Sequence, residues 1–264
     1  MRGGTLMKLK FALVMLAALS LAFAGCGKKE AAGGGTAAKT KKSKKSKKSK
    51  KSSYEEIDVK DGGTISGTIT YAGDKKDGAA VVTKDKEVCK DQPQEGALIV
   101  ADGKLKNAVV MLEGIKKGKK WADNPLVVDN LVCSFTPRIS FGKLKGTLTA
   151  TNSDTVLHNT HAFLKKGNKD LFNVALSSKG KKAEKKLKKP GLIDLKCDAH
   201  EWMQAFIWVT ASPYVAITGA DGSFSMSDVP AGEYSAKIWH EKLGEKTAKV
   251  TVTAGGTAKL DQAM

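Results

Sequence analysis

The sequence predicts an all-β sandwich protein, and three observations predict it. Short runs of alternating apolar and polar residues recur along the chain, as in Thr64-Ile65-Ser66-Gly67-Thr68-Ile69-Thr70-Tyr71. Clusters of Gly, Asp and Lys separate these runs, which is the punctuation of turns between short strands. No helical stripe stands out, so the strand–helix alternation of a parallel sheet is not the pattern here. The length of 264 residues allows one large domain or two modest ones. Four cysteines are too few for a disulfide-dense miniprotein, and a hydrophobic content of 41% is too high for wholesale disorder.

Residues 1–25 read as an export signal. Lys8 and Lys10 precede the apolar run from Phe11 to Phe23, and the small residues Ala24 and Gly25 follow before Cys26. The run falls short of the roughly 20 apolar residues that a membrane span needs. Met7 opens the more usual form of such a segment. The ending LAFAGC resembles the lipobox of bacterial lipoproteins, with Phe23 where Leu is commoner. That resemblance implies lipidation of Cys26 and anchorage to a membrane through the lipid. Gly27 after the cysteine resembles the form sorted to the outer membrane of Gram-negative bacteria, which implies an exported protein on the periplasmic face.

Residues 26–60 form a lysine-rich tether. Its repeated KKS triplets repel one another and carry no apolar period, so the segment reads as extended spacer. The formal charge of +18 resides mainly here: residues 1–53 hold 14 basic side chains against Glu30, which leaves +5 for residues 54–264. A nucleic-acid footprint lies on a folded face, so no nucleic-acid partner is expected. Clustered lysines beside a membrane add attraction to anionic lipid of about 1 kcal/mol each.

The folded part begins as strands. After Thr64–Tyr71 come Ala97-Leu98-Ile99-Val100 and Ala108-Val109-Val110-Met111-Leu112. At the other end, Ala220-Asp221-Gly222 and Pro230-Ala231-Gly232 separate alternating runs and read as hairpin turns. The segment TGADGSFSMSDVPAGEYSAKIWH resembles the latter half of the carboxypeptidase regulatory-like, transthyretin-like β-sandwich, and GTISGTIT with NAVVMLEG resembles its first half. This implies that residues 61–123 and 213–264 are two parts of one module with residues 124–212 inserted between them, the alternative being two independent partial sandwiches. Insertion at a loop tip is well tolerated. Within the insert, residues 179–190 are compatible with a short helix that Pro190 would end.

The insert carries the chemistry. Cys197-Asp198-Ala199-His200-Glu201-Trp202-Met203 has the spacing C-x-x-H-x-x-M directly before an apolar strand, and Leu157-His158-Asn159 lies about 40 residues upstream. Together they supply a thiolate, two imidazoles and a thioether, the ligand set of a blue-copper electron-transfer site. Soft sulfur suits Cu(I) and imidazole suits Cu(II), so a rigid compromise site changes little on electron transfer.

These segments resemble a cupredoxin, most closely the amicyanin type, in the loop spacing and in the His158-Asn159-Thr160-His161 run. The resemblance implies a Greek-key sandwich over residues 124–212 and one type 1 copper ion held by His158, Cys197, His200 and Met203. It also implies Asn159 as the residue tying the two ligand segments together. Glu201 stands where amicyanin-like loops carry proline, and a carboxylate there would lower the potential; Trp202 partly restores the apolar patch it interrupts. On a strand, residues three apart face opposite sides, so His161 is expected to point away from the site. The alternative metal is zinc on one thiolate and three imidazoles.

With Cys26 and Cys197 so assigned, Cys89 and Cys133 remain as a pair, and an oxidising compartment favours a disulfide between them. Lys165 to Lys189 hold ten lysines against Asp170 and Glu184, a local +8 that would steer an acidic redox partner such as a c-type cytochrome. No nucleophile elbow, HExxH or phosphate-cradling Gly loop is present, and a non-enzymatic role is expected. The expected function is single-electron transfer by a membrane-anchored periplasmic copper protein. The alternatives are copper sequestration or delivery, and a structural lipoprotein with a vestigial site.

Overall fold

A computed structural model of the chain describes residues 54–74, 81–90 and 98–264. The expected export signal, the expected lipidation site Cys26 and the lysine repeats up to residue 53 lie outside the described residues. The described part is all-β: its one helix among the described residues is the single turn Lys86–Cys89.

The first sandwich comes from both ends of the chain. One sheet runs in the order Val215–Ile217, Val109–Glu113, Gly232–His240, Gly244–Val252. The other centres on Gly63–Thr70, which pairs antiparallel with Ser223–Val229 and Lys104–Leu105 and parallel with Thr257–Lys259 and Gln262–Ala263. The alternation in GTISGTIT becomes a strict in–out burial pattern, with Ile65 and Ile69 fully buried against Leu105, Val110, Tyr214 and Ile238. Each such side chain contributes about 2 kcal/mol by leaving water. Tyr214 buries its ring and keeps its hydroxyl satisfied, donating to the Asp228 carbonyl at 2.6 Å and accepting from the Lys119 N–H at 2.8 Å.

The second sandwich comprises residues 126–210. Its sheets run Lys182–Lys186, Thr147–Asn152, Leu126–Leu131, Ser134–Thr136 and Lys169–Leu176, His158–Leu164, Gly191–Lys196, Gln204–Thr210, Ile139–Lys143. Two neighbour pairs are parallel, Thr147–Asn152 with Leu126–Leu131 and Gln204–Thr210 with Ile139–Lys143, so the chain crosses between sheets rather than meandering. Val128, Leu148, Leu187, Ile193, Leu195 and Ile207 fill the space between the sheets. Val82 and Cys89 join the same core, so residues 81–90 cross from the first sandwich onto the second.

The two sandwiches belong to one unit and pack face to face. Val109, Met111 and Trp239 of one meet Ile139 and Phe206 of the other, with Trp208 against Trp239 at 5.7 Å between ring centroids. A strand covered on both faces reads as a continuous apolar run, which explains Val109-Val110-Met111-Leu112 and Ala205-Phe206-Ile207. At the rim, Arg138 forms a bidentate pair with Glu241, both N···O distances 2.7 Å, and the glutamate side chain is only 2% exposed.

Three expectations are corrected. Residues 182–186 form a strand, not part of a helix: Lys182–Lys186 pairs antiparallel with Thr147–Asn152, and the buried Leu187 anchors its end. Of the run 97–100, residue 97 lies outside the described residues, Leu98 and Ile99 are not strand, and Val100 opens the short strand Val100–Ala101. The turns at Ala220–Gly222 and Pro230–Gly232 do not close hairpins, because Ser223–Val229 pairs in a different sheet from Val215–Ile217 and Gly232–His240. They are corners between sheets. A hairpin instead lies at residues 241–243, where Gly232–His240 turns back into Gly244–Val252.

Candidate metal centre

The site sits where the strand His158–Leu164 begins and along the loop of residues 197–203 that follows Gly191–Lys196. Antiparallel pairing of these two strands, His161 opposite Lys196, fixes His158 beside Cys197. His158 Nδ1 lies 3.9 Å and His200 Nδ1 3.7 Å from Cys197 Sγ, and the imidazole rings are 4.6 Å apart. All three side chains are buried, at 0%, 1% and 2% exposure. Met203 is buried in the same cluster as Cys197, and its N–H donates to the His200 carbonyl at 3.0 Å, closing the loop.

Each imidazole is held from behind by a carboxylate. His158 Nε2 donates to Asp154 Oδ2 at 2.9 Å, and His200 Nε2 donates to Asp85 Oδ2 at 2.9 Å. A proton held at Nε2 leaves the Nδ1 lone pair free, and both Nδ1 atoms face the same sulfur. Asp154 is itself fixed, accepting the N–H groups of Val132 and Cys133 at 2.8 Å each. Burial holds His158 below the ordinary imidazole value, outweighing its bond to Asp154, so the ring is neutral near pH 7. Burial likewise pushes the Cys197 thiol up, against the opposing pull of backbone N–H groups at Asn159, Ala199 and His200.

Asn159 ties the two segments together. Its Oδ1 accepts the N–H of Asp198 at 2.7 Å and of Ala199 at 3.3 Å, and its own N–H donates to Cys197 Sγ at 3.5 Å. Its Nδ2 donates to Asn173 and Asp198, both at 2.8 Å. Trp202 packs edge-on to His200 at 5.0 Å and donates to the Cys133 carbonyl at 3.1 Å, whereas Glu201 is exposed. Cys89 and Cys133 are joined by a disulfide, with Cα atoms 5.0 Å apart.

His161 stands outside this cluster, as strand parity requires. Its ring lies between Asp198, at 3.0 Å, and Asp170, at 3.0 Å. A site of one thiolate and three imidazoles is thereby corrected, since His240 also lies in the other sandwich. Partial burial disfavours the charged ring, but the hydrogen bonds to Asp170 and Asp198 prevail and raise the His161 value, while His161 and Asn173 lower that of Asp198. Linkage then sets a window. The His161 contribution is complete below the unfolded imidazole value of about 6.5 and fades as pH rises through the raised folded value; that of Asp198 is complete above about 3.9 and fades as pH falls. The stability advantage of the metal-free protein over His161→Gln is therefore expected to peak between about pH 4 and 6.5 in urea unfolding. A pH-independent difference would contradict the ion-pair assignment.

Sequence reasoning missed both carboxylates. Asp154 lies only four residues before His158 but reads as ordinary turn chemistry, and Asp85 is 115 residues from His200 and carries no local signal. It occupies the N-cap position of the Lys86–Cys89 turn, in left-handed conformation (φ 52°), and makes no side-chain cap. The residue type that usually caps a helix is diverted to the histidine.

Comparison with known proteins adds the following. The family model described as polysaccharide lyase family 4, domain II, matches residues 186–260, a span that runs from the second sandwich into the first. No curated protein matches the chain by sequence. Among solved structures, a P96G mutant of amicyanin shares 22% identity over 34% of this chain and 87% of its own, with a TM-score of 0.30. A purple cupredoxin from Nitrosopumilus maritimus shares 24% over 32% of this chain and 99% of its own, at 0.29. A copper-containing nitrite reductase from Thermus scotoductus shares 21% over 35% of this chain, at 0.30, and the match spans 24% of that enzyme's length.

Proposed function

We propose that the protein holds one copper ion at His158, Cys197, His200 and Met203 and passes single electrons between partners. The observation that carries the reading is the pair of Nδ1 atoms converging on one buried sulfur, each with its Nε2 proton held by a carboxylate. The donor set fits copper: one thiolate and two imidazoles, with a thioether buried beside them. Copper so held supplies a one-electron couple. The protein's part is to keep that environment unchanged between states, through strands that fix His158 and Cys197, carboxylates that fix ring orientation, and burial that excludes water. Four of the ten lysines in Lys165–Lys189 lie on the strands Lys169–Leu176 and Lys182–Lys186, and the run as a whole would guide an acidic partner such as a c-type cytochrome.

The reading includes a lipid anchor at Cys26 that places the folded part on the periplasmic face of a membrane, the lysine tether holding it off the lipid. The first sandwich, in its likeness to regulatory-like modules, would serve as the platform on which the copper sandwich is mounted. Copper storage or delivery is the second reading, favoured by the burial of His200 beneath Asp85.

Titration of the metal-free protein with Cu(II), followed by visible absorption, tests the proposal. An intense thiolate-to-copper band saturating at one equivalent supports it; tight colourless zinc binding that copper does not displace refutes it. Because burial keeps the Cys197 thiol protonated while His158 is already neutral, binding releases the thiol proton. Apparent copper affinity should therefore rise about tenfold per pH unit between about pH 7 and 8.5. A flat profile in a chelator competition would mean that the thiol is not a ligand.

A further inference from the structure

We infer that Cys89 and Cys133, once their disulfide is reduced, form with His200 a second soft-metal site, one that takes Cu(I) in competition with Cys197. The sulfur atoms of both cysteines and a ring nitrogen of His200 all lie within 4.8 Å of one another, and all three residues are buried. The Cys133 sulfur also lies within that distance of ligand atoms of Asp154 and His158, so the disulfide abuts both imidazoles rather than one edge of the site. Two thiolates and an imidazole are a donor set for Cu(I), softer than the set around Cys197.

The two sets share one histidine. A neutral imidazole has a single lone pair, so His200 serves one metal at a time and the sites are alternatives. Which of them is available depends on the oxidation state of the disulfide. A dithiol transfers two electrons and two protons to the Cys89–Cys133 bond, becoming a disulfide itself and leaving two thiols. Binding of Cu(I) to these releases their protons to water, and the copper stays Cu(I) throughout. Neither sulfur is open to attack in the closed state, with Cys89 at 1% and Cys133 at 0% exposure. Exchange therefore requires residues 81–90 to lift. That segment is built for it: a single helical turn has little stability of its own, and this one is held by Val82, by Cys89 and by the bond from His200 to Asp85. Lifting it also removes the carboxylate that orients His200. The disulfide thus acts as a latch: closed, it keeps His200 facing Cys197, and opened by a dithiol, it draws Cu(I) toward Cys89 and Cys133.

The test uses the whole chain, in wild-type form, as Cys197→Ser, and as Cys197→Ser combined with Cys89→Ser and Cys133→Ser. Each is reduced with a small dithiol without oxygen, freed of it, and titrated with Cu(I) against a chromogenic Cu(I) chelator. Reduced Cys197→Ser should retain one equivalent that the oxidised form and the triple variant both lose. In wild type loaded with one equivalent, alkylation read cysteine by cysteine should label Cys197 after reduction and spare Cys89 and Cys133. Equal retention by oxidised and reduced Cys197→Ser overturns the proposal, as does alkylation of Cys89 and Cys133 with Cys197 spared. Because the first arm lacks Cys197, its outcome is independent of whether the blue site exists.

Discussion

Cys197→Ser is expected to abolish the visible band of the proposed copper site and to weaken its copper binding by more than about a hundredfold, because removal of only an outer-shell partner of a metal ligand already costs 10–100-fold. The hydroxyl of serine is a harder donor than the thiolate and is not ionised at neutral pH, so it would replace neither the charge nor the covalency of a copper–thiolate bond. Folding should survive. The thiol is 2% exposed, and its replacement is smaller, with the Asn159 Oδ1 atom already 3.4 Å from the sulfur as an acceptor for the new hydroxyl. Equilibrium copper competition and a thermal melt on the same preparation separate the two effects. A variant that melts as wild type but retains blue colour would place the thiolate ligand elsewhere.

That residue was legible in the sequence because its chemistry is local. C-x-x-H-x-x-M puts three soft or borderline donors on one loop, and the loop closes on itself through the Met203 N–H and the His200 carbonyl. His158 was legible through its own motif, and Asn159 beside it. The carboxylates were not, for different reasons. Asp154 is close in sequence, yet aspartate in Asn152-Ser153-Asp154 reads as ordinary turn chemistry; only the fold shows its oxygens shared between His158 and the N–H groups of Val132 and Cys133. Asp85 reaches His200 only because the chain of one sandwich crosses onto the other, a tertiary fact with no period or spacing to betray it.

The same division holds for the fold. Where one face meets a core and the other meets water, as in Gly63–Thr70, alternation is visible. Lys182–Lys186 hides its strand period under charge, since lysine stems lie along the sheet while their ammonium groups stay in water. Turn residues marked the corners at Asp221-Gly222 and Ala231-Gly232 correctly, but a turn does not say whether the next strand stays in its sheet. Strand choice is settled by packing, here by Phe224, Met226 and Val229 entering the core of the first sandwich beside Ile65 and Ile69.

Replacing Cys89 and Cys133 together by alanine is expected to destabilise the protein by about 4 kcal/mol, the loop-closure entropy restored to the unfolded chain when a bridge spanning 44 residues is lost. For a folded body of this size that corresponds to a melting temperature lower by roughly 10 °C. Reduction of the wild-type disulfide should reproduce most of the loss, since it frees the same chain while leaving both sulfurs to pack. The comparison discriminates between two roles. If the bridge stabilises the sandwich, both treatments lower the melting temperature together. If it restrains only residues 81–90, the melt hardly moves, and the change appears instead as faster amide exchange at the Lys86–Cys89 turn and as exposure of His200, which Asp85 no longer covers. Copper loading sharpens the distinction. A metal that binds only the folded form adds stability in proportion to its affinity, so Cu(I) should restore the melting temperature of the reduced wild type and leave that of the alanine variant less improved. Equal rescue of both would show that Cys89 and Cys133 act as a covalent clamp and nothing more.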